Sequence, residues 1–427
     1  TLTYTDNNFV DVFQNGVLLK GGGTDYTATS GTSVVLTTGA SVSDVIEIIV
    51  YDVFSVGNFF NRTDSDSRYV NHNSNTAGTD NFIAGNNAGD AIASGGNYNT
   101  VVGNEAGTAI TTGDNNTAVG FEALATEDAH GNNTAVGYRA LKTLNAGAEG
   151  YNTAVGQDAG TAVTTGRYNT FMGAIAADSV TEGGRNTALG YGALQTDTKG
   201  SRSVAVGFNA LGTQNFTSAT DNYNIGIGYD AGGAITTGIQ NTLIGSLAGD
   251  ALLAAQDNVA IGYKALTSET GGQNNVAIGK EALEDQVNSS GNIYNTAVGA
   301  RAGASITTGF QNTFLGTFAG GASDDGNYNT ALGYAALSGG NAANSNTAVG
   351  WVAGYNTTGA TNTFVGQAAG YEVTSGGNNI LLGSDAGRSA SPSGQITTGS
   401  DTICLGDNNI NDLFCADTSI SSSDSRD

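Results

Sequence analysis

A short apolar stretch bounded by Asn and Gly recurs along most of the chain. The clearest copy reads Asn133-Thr134-Ala135-Val136-Gly137, and recognisable copies occur nineteen times between residues 80 and 410. The residue before the final glycine is always apolar, and twelve of the eighteen spacings between these glycines are 17 residues. Such a fixed period indicates an array of stacked repeats. The final glycines are Gly85, Gly103, Gly120, Gly137, Gly156, Gly173, Gly190, Gly207, Gly228, Gly245, Gly262, Gly279, Gly299, Gly316, Gly333, Gly350, Gly366, Gly383 and Gly406.

The repeat is too short for a helix pair or a propeller blade, but it fits one turn of a β-solenoid. Asn lies four positions before the glycine in all copies but two, which predicts a ladder of side-chain amides along the axis. The glycine predicts a corner with positive φ. Ala lies three positions after the glycine in all copies but one, which predicts a wall too close for a larger side chain. We therefore expect an all-β, parallel solenoid with coils of about 17 residues.

Both faces of the repeated strand are apolar. Successive side chains of a strand point to opposite faces, yet Ala135 and Val136 are both apolar, as are their equivalents in the other copies. A thin solenoid has only one interior, so the second face needs a cover. Identical chains around an axis are the simplest cover, which predicts a parallel homotrimer. Eighteen intervals of about 4.8 Å would give a shaft of roughly 85 to 90 Å.

A second periodicity groups much of the array into units of four coils. Spacings of 19, 21 and 20 residues follow Gly137, Gly207 and Gly279. The lengthened turns near 142–150, 212–223 and 284–294 should therefore leave the same edge of the solenoid. They are candidate receptor contacts, although insertions tolerated at the surface would give the same pattern. The candidate contact residues are Tyr151, Phe216, Asp221, Tyr223 and Tyr294.

Some coils carry an aromatic residue directly after the glycine, as in Phe121, Tyr138, Tyr191 and Phe208. An aromatic stripe of this kind would suit sugar rings. Packing of each ring on the neighbouring Leu, such as Leu124, is the favoured interpretation.

The two ends of the chain lack the repeat. In the N-terminal segment, short apolar runs flank Asn15-Gly16, a pair typical of hairpin turns, which predicts a small β domain. The expected organisation is a small β domain at 1–56, a polar connector at 57–79, the solenoid of nineteen coils at 80–410 and a C-terminal tail at 411–427.

Composition and charge narrow the classes of partner. Apolar residues at fixed positions make up 39% of the chain, which a flexible linker would not show. The chain has 38 acidic and 14 basic residues, for a net charge of −24, which disfavours nucleic acid and anionic membranes as partners. No apolar run of 18 residues occurs, so we expect no membrane insertion. No signal peptide is visible and the chain opens at Thr1, so we expect a piece of a longer protein.

Residues with catalytic or metal-binding chemistry are few and scattered. His72 and His130 lie in polar turns without the spaced partners of a catalytic triad. Cys404 and Cys415 have no metal-ligand spacing, and two free thiols are favoured over a disulfide. The acidic pair at residues 324 and 325 is interpreted as a solvated loop. We expect no cofactor, no metal site and no enzymatic activity.

The repeat resembles the head of YadA-like trimeric autotransporter adhesins. The shared core is Asn-Thr-Ala-Val-Gly-x-x-Ala, and residues 203–207 and 275–279 come closest. The resemblance covers residues 80 to about 410 and implies a left-handed parallel β-roll in a trimer. The period of 17 is longer than the usual coil of that family.

The ends resemble bacteriophage tail fibres. The run from Asp11 to Val17, followed by Asp25-Tyr26-Thr27, is similar to a small β domain of marine phage fibres. Residues 423–427 are similar to the start of an endosialidase-type intramolecular chaperone, whose Lys would fall one residue past Asp427. This likeness implies that Ser423 is a possible self-cleavage nucleophile.

Together the resemblances favour an extracellular tail fibre of a virion. Its partners would be itself as a homotrimer, a host cell-surface receptor for which a glycan is a candidate, and other virion proteins at the N-terminal end. A bacterial trimeric surface adhesin is the alternative, but it would need a coiled-coil stalk and a membrane anchor. An ice-binding solenoid is a remote alternative, suggested by a Thr column that includes Thr117 and Thr134.

Overall fold

The computed structural model describes residues 10–20, 24–28, 34–41, 43–50, 78–288, 290–410 and 412. The His72 and Ser423 positions lie outside these residues. Contacts divide the chain into two units, Thr1–Asn71 and His72–Asp427. In the part of the chain that the structure describes, no helix is long and apolar enough to cross a membrane.

The N-terminal unit contains two small antiparallel sheets. In the first, β1 lies between β2 and β5, and in the second β3 pairs with β4. Asn15 and Gly16 have φ values of 50° and 81° and form the turn between β1 and β2 that the sequence predicts. Val12 is fully buried under the first sheet. The strands are β1 Val10–Gln14, β2 Val17–Leu18, β3 Tyr26–Thr27, β4 Val35–Leu36 and β5 Ile46–Val50.

The second unit is a parallel β-solenoid. Nineteen of its strands, each of three residues, form one sheet, and four two-residue strands form two additional pairs. The strands in chain order are β6 Phe82–Ala84, β7 Thr100–Val102, β8 Thr117–Val119, β9 Thr134–Val136, β10 Thr153–Val155, β11 Thr170–Met172, β12 Thr187–Leu189, β13 Gly200–Ser201, β14 Val204–Val206, β15 Thr220–Asp221, β16 Ile225–Ile227, β17 Thr242–Ile244, β18 Val259–Ile261, β19 Gly272–Gln273, β20 Val276–Ile278, β21 Gly291–Asn292, β22 Thr296–Val298, β23 Thr313–Leu315, β24 Thr330–Leu332, β25 Thr347–Val349, β26 Thr363–Val365, β27 Ile380–Leu382 and β28 Ile403–Leu405.

The main strands stack in register. Thr117, Ala118 and Val119 of β8 pair with the Thr, Ala and Val of β9, and the same register continues through the stack. The stack runs from β6, which pairs with β7, to β28, which pairs with β27. The predicted parallel solenoid of about 17 residues per coil is therefore confirmed, as nineteen stacked strands joined by eighteen turns.

The interior of the solenoid is a thin column made mainly of small and apolar side chains. The middle residue of each main strand points inward, and Ala118 is fully buried. Ala123, three positions after the corner glycine, is also fully buried, which confirms the predicted Ala column. In a few coils a fully buried Phe replaces the middle Ala. These are Phe171, Phe314 and Phe364.

Glycine is required at the corner for two reasons: the backbone conformation there and the close approach of the next coil. Gly120 has φ of 135°, a backbone conformation that residues with a side chain rarely adopt. A Cβ atom added to Gly120 would lie 2.4 Å from the carbonyl oxygen of Gly137 in the next coil. The glycine column therefore sets the sharp corner and lets consecutive coils approach each other, as the sequence predicts.

The Asn column forms a buried ladder, but its hydrogen bonds run mainly to the backbone. The backbone N–H of Asn116 donates to Asn99 Oδ1 at 2.9 Å, and Asn99 Nδ2 donates to the carbonyl oxygen of Gly113 at 2.8 Å. The same pattern recurs at Asn186, whose backbone N–H donates to Asn169 Oδ1 at 2.9 Å. Each amide thus bridges its own coil to the next one. This satisfies buried backbone groups that would otherwise cost free energy.

Candidate interaction surfaces

The outward face of the sheet carries an apolar stripe. The residue before each corner glycine points away from the core, and several of these side chains are about half exposed, including Met172 at 49%, Leu315 at 47% and Leu332 at 42%. Because the strands are in register, these side chains form one continuous line along the solenoid. We call this line the apolar stripe. Its members are Ala84, Val102, Val119, Val136, Val155, Met172, Leu189, Val206, Ile227, Ile244, Ile261, Ile278, Val298, Leu315, Leu332, Val349, Val365, Leu382 and Leu405.

The three lengthened turns return to the solenoid at equivalent positions. In the second and third turns, β15 pairs in parallel with β13 and β21 pairs in parallel with β19. In the first turn, the backbone N–H of Gly150 donates to the carbonyl oxygen of Gly131 at 3.1 Å. All three turns therefore rejoin the preceding coil along one edge, as the four-coil period predicts.

A buried carboxylate lies one coil before each lengthened turn. Glu127, Asp197 and Glu269 all occupy the seventh position after a corner glycine, and their residues are fully buried. Other coils place apolar residues there, such as Val163 and Ile235. The sequence analysis missed these carboxylates. The available signal was an acidic residue in an apolar column, recurring after 70 and then 72 residues.

Each buried carboxylate accepts hydrogen bonds from the start of the following turn. Asp197 Oδ1 accepts the backbone N–H of Phe216 at 3.0 Å, and Asp197 Oδ2 accepts from Gln214 Nε2 at 2.7 Å. Glu269 likewise accepts the backbone N–H of Asn288 at 3.0 Å. A buried carboxylate with several donors can replace the hydrogen bonds that an irregular turn loses. These acids therefore hold the lengthened turns in place.

Burial also changes the protonation chemistry of two of these acids. Removal from water raises the pKa of Glu127, and the backbone N–H groups of Ala146 and His130 counteract part of this effect. Burial likewise raises the pKa of Asp197, against the opposing hydrogen bonds from Phe216 and Gln214. Both carboxyls are therefore easier to protonate in the folded chain than in water.

Three of the predicted contact residues are available at the surface. Tyr151, Tyr223 and Tyr294 are 51%, 49% and 48% exposed, and each directly precedes an Asn of the ladder. The Tyr151 ring stacks on Tyr168 of the next coil, with ring centres 5.5 Å apart. These tyrosines belong to one column, but each is about seventy residues from the next along the chain.

The other two predicted contact residues, Asp221 and Phe216, lie in the second lengthened turn and differ in their exposure. Asp221 is exposed and pairs with the guanidinium of Arg202 at 2.9 Å, and Arg202 also lies 5.4 Å from the centre of the Tyr223 ring. Phe216 differs from the prediction, because it is only 6% exposed. Its side chain is buried beneath the turn, where it anchors the loop and offers little surface to a receptor.

Aromatic residues after the corner glycine stack on one another. The Phe121 and Tyr138 rings are 5.5 Å apart and nearly parallel, and Tyr191 stacks on Phe208 at 5.4 Å. These rings are about half exposed, whereas Leu124 is fully buried in the core. The rings therefore stack on one another along the axis, and their expected packing on the neighbouring Leu stays a prediction.

Two arginines meet around Tyr168. The guanidinium groups of Arg167 and Arg185 lie 5.7 and 5.4 Å from the centre of the Tyr168 ring. Together with Ser201 they line a shallow surface pocket of about 160 Å³. Glu182 also lines this pocket, so its charge is mixed and not uniformly basic.

His130 lies next to acidic groups rather than in a catalytic triad. Potential ligand atoms of Glu127, Asp128 and His130 lie within 4.8 Å of one another, the one such grouping among the residues that the structure describes. The Glu127 carboxylate already accepts backbone N–H groups from His130 and Ala146, at 3.3 and 3.2 Å. These hydrogen bonds give Glu127 a structural role at the first lengthened turn.

The thiol of Cys404 is free and buried, while Cys415 lies outside the described residues. Cys404 Sγ lies 2.8 Å from Ser391 Oγ and 3.3 Å from Ser393 Oγ. Burial raises the pKa of this thiol, but hydrogen bonds from the two serines outweigh burial and lower it overall. The thiol fills the inward position of the last coil, where other coils place Ala or Leu.

Comparisons with known proteins add no relative to this description. The function of the chain is therefore inferred from its repeated residues and its exposed surfaces. No protein-family model matches the chain, and neither a curated protein nor a solved structure matches it.

Proposed function

We propose that this chain is the shaft of a bacteriophage tail fibre, a parallel homotrimer that carries host-attachment surfaces outside the cell. The observation that carries the proposal is the apolar stripe, which is half exposed at Met172, Leu315 and Leu332 on the single chain. A structural shaft uses such a stripe as the seam between copies. No enzymatic step is part of this role.

The form of the stripe favours other copies of the same chain as its cover. It repeats once per coil, and the in-register strand pairing continues it from β6 to β28. A second copy in parallel presents the same spacing at every coil, whereas an unrelated partner would need its own matching repeat. Burying a half-exposed Leu or Ile side chain contributes roughly 1 kcal/mol, so many weak contacts sum along the axis.

Three copies suit the narrow width of the stripe. In most coils it is one apolar residue wide, with Thr two positions earlier on the same face, as with Thr117 and Val119. Around a threefold axis, the apolar stripe of each chain can contact the stripes of the other two chains. The other faces of the solenoid then stay exposed to water. The resemblance to YadA-like heads supports the same number of copies and a left-handed roll.

Register is the main difficulty in assembling such a trimer. The coils are nearly identical, so a slip by one coil loses few contacts. A chaperone that trimerises first would fix the register before the coils associate. We propose that such a domain follows residue 427 and that Ser423 cleaves the bond between Ser422 and Ser423.

The lengthened turns are the proposed lateral contacts with the host receptor, for which a glycan is the candidate. Tyr151, Asp221, Tyr223 and Tyr294 are exposed on or beside them, and Phe216 is excluded by its burial. The N-terminal end would join other virion proteins. Nucleic acid is an unfavourable partner because the chain carries a net charge of −24.

Two measurements test this function together. Light scattering and sedimentation of the purified chain should give three times its mass of 42.8 kDa. The purified chain should also bind host cells and compete with virus adsorption. A monomeric mass at micromolar concentration would overturn the shaft, and a trimer that binds no host cell would overturn the attachment role.

A further inference from the structure

Four consecutive coils lack the charged residue that many other coils carry at one surface position. The second position after the corner glycine is charged in many coils, for example Glu122, Arg139 and Asp158. In the coils that begin at Gly316, Gly333, Gly350 and Gly366, this position is apolar. The four residues are Phe318, Ala335, Val352 and Ala368.

These coils form an aromatic pocket of about 380 Å³ at the surface. The small side chains of Ala335 and Val352 are 5% and 6% exposed and form its floor. None of the lining residues is charged. They are Phe318, Tyr334, Ala335, Ser338, Trp351, Val352, Tyr355 and Tyr371. We call this the aromatic pocket.

The rings of the aromatic pocket hold each other in place. Phe318 and Tyr334 pack edge to face, with ring centres 5.9 Å apart. Tyr355 and Tyr371 stack nearly parallel at 5.4 Å. Trp351, the single tryptophan of the chain, is 53% exposed. Mutual packing restrains these rings, so little side-chain entropy remains to be lost when a ligand binds.

Gly339 makes room for one of the rings. A Cβ atom added to Gly339 would lie 2.2 Å from the Tyr355 ring. The φ of Gly339 is not in the left-handed region, so the backbone conformation alone does not require glycine there. The absence of a side chain at this position therefore allows Tyr355 to lie against the chain and shape the pocket.

The lining favours a ligand that is neutral, flat on one face and rich in hydroxyl groups. Aromatic faces carry partial negative charge and attract weakly positive C–H groups, such as those on the face of a pyranose ring. Ser338 and the three tyrosines supply hydroxyl groups that suit the edges of such a ring. A charged sugar would find no opposite charge among the lining residues, and Arg388, whose guanidinium lies 5.2 Å from the centre of the Tyr371 ring, is already paired with Asp385.

We propose that the aromatic pocket binds a neutral hexopyranose unit of a host-surface glycan. The proposal rests on the proposed attachment function for the source of the ligand, but sugar binding itself can be measured without host cells. Trp351 makes the measurement direct, because the chain has no second tryptophan to mask its signal.

The test titrates the purified, assembled chain with methyl glycosides of glucose, galactose, mannose and N-acetylglucosamine while recording tryptophan fluorescence. We expect a saturable change with at least one glycoside. Tyr355→Ala should weaken that binding about tenfold or more, because it removes a ring from the pocket and keeps the reporter. Gly339→Ala should also weaken it, because the added methyl group displaces Tyr355 while every ring is retained.

Tyr191→Ala is the matched control. Tyr191 occupies the same position after a corner glycine as Trp351, is equally exposed at 53%, and lies in a distant coil. This variant should bind the glycoside like the unchanged chain. Thermal unfolding of all three variants checks that loss of binding does not come from loss of the fold.

Three results would overturn the proposal. The first is no response of Trp351 to any of the glycosides. The second is a response to tetramethylammonium alone, since aromatic rings also bind quaternary ammonium groups. The third is protection of Trp351 from acrylamide quenching in the assembled protein, because another chain would then cover the pocket.

The proposed function can fail independently of the aromatic pocket. If the chain binds host cells and Tyr355→Ala binds them equally well with its glycoside binding lost, the pocket is not the attachment site and the attachment role stands. If glycosides bind but the unchanged chain binds no host cell, the sugar site stands without the attachment role.

Discussion

Ser203 donates its hydroxyl hydrogen to Asn222 Oδ1 at 2.7 Å, and this contact repairs a gap in the Asn ladder. Ser203 occupies a ladder position but is too short to reach the next coil. Asn222, from the second lengthened turn, also accepts the backbone N–H of Asn224 at 3.2 Å. The turn therefore supplies the amide that its own coil lacks.

Asn222→Ala should lower the stability of the solenoid. It leaves the Ser203 hydroxyl and the Asn224 N–H without this acceptor in a buried site, at a cost of about 1 to 3 kcal/mol for each unpaired group. Chemical unfolding would measure the change. Adding Ser203→Asn should restore much of the loss, because the usual ladder amide is then present. A double variant no more stable than Asn222→Ala would contradict this account.

The regular part of the fold follows from the sequence because every coil meets the same constraints. The φ of Gly120 and the burial of Ala123 both agree with the columns in which they lie. The Asn amides were predicted to form a ladder, and Asn258 Nδ2 does donate to Asn241 Oδ1 at 3.2 Å, but amides such as that of Asn99 also bridge to the backbone. Identical neighbours predict stacking, but only the coordinates show which buried backbone groups need a partner.

The surfaces were less predictable because they depend on contacts between coils of different sequence. Phe216 is surrounded by polar residues in the sequence, which suggests an exposed turn, although it is buried next to Asp197. The residues that surround Trp351 in the aromatic pocket come from four stacked coils, so they are not adjacent in the sequence. The number of copies and the handedness of the roll stay predictions, because they depend on other chains or on the resemblance.

The buried acids should make the chain more stable at mildly acidic pH. Burial raises the pKa values of Glu127 and Asp197, so between the ordinary and the raised pKa the folded chain binds more protons than the unfolded chain. The free energy of unfolding therefore falls as pH rises through this window. The melting temperature should increase as pH is lowered from 7 towards roughly 5.

Asp197→Asn should make this pH dependence shallower, because one of the titrating groups is removed. Asp221→Asn removes the same charge from an exposed position and serves as the control for the change in net charge. Thermal unfolding followed by circular dichroism at several pH values would compare the three chains. Equal slopes for the unchanged chain and for Asp197→Asn would exclude Asp197 as a contributor.

The corner column should tolerate no side chain. In Gly137→Ala, a methyl group would lie 2.4 Å from the carbonyl oxygen of Gly156 on a backbone with φ of 136°. We expect the free energy of unfolding to fall by more than about 2 kcal/mol, because the backbone is strained and the two coils are forced apart. Gly147→Ala is the control, since φ is 65° there and nothing lies within 4 Å of an added Cβ. Gly147→Ala should lower the free energy of unfolding by about 1 kcal/mol. Equal losses for the two variants would disprove the role of contact between coils.

Ser423 should control processing of the longer gene product. Expression with the downstream region should give a chain that ends at Ser422, because the proposed cleavage lies between Ser422 and Ser423. Ser423→Ala should leave the full-length product, while Ser421→Ala should be processed normally. Mass spectrometry would distinguish these products. Identical masses for the unchanged chain and Ser423→Ala would eliminate self-cleavage at this position.

The apolar stripe should determine the number of copies. In Leu315→Lys, an ammonium group replaces a half-exposed Leu on the outward face of β23, where three chains would meet in the proposed trimer. Three like charges brought close to an axis and removed from water are strongly unfavourable. We expect dissociation or local opening of the trimer, measured by light scattering and sedimentation.

Gln311→Lys provides the matched control for this experiment. Gln311 lies in the same coil, is exposed and does not belong to the apolar stripe, so its replacement adds the same charge at another position of that coil. This variant should keep the mass of three chains. Because the Leu315 side chain points away from the buried core and is 47% exposed, the Leu315→Lys chain should also keep its circular dichroism spectrum. A Leu315→Lys protein that remains trimeric and as stable as Gln311→Lys would show that the stripe is not the seam between copies.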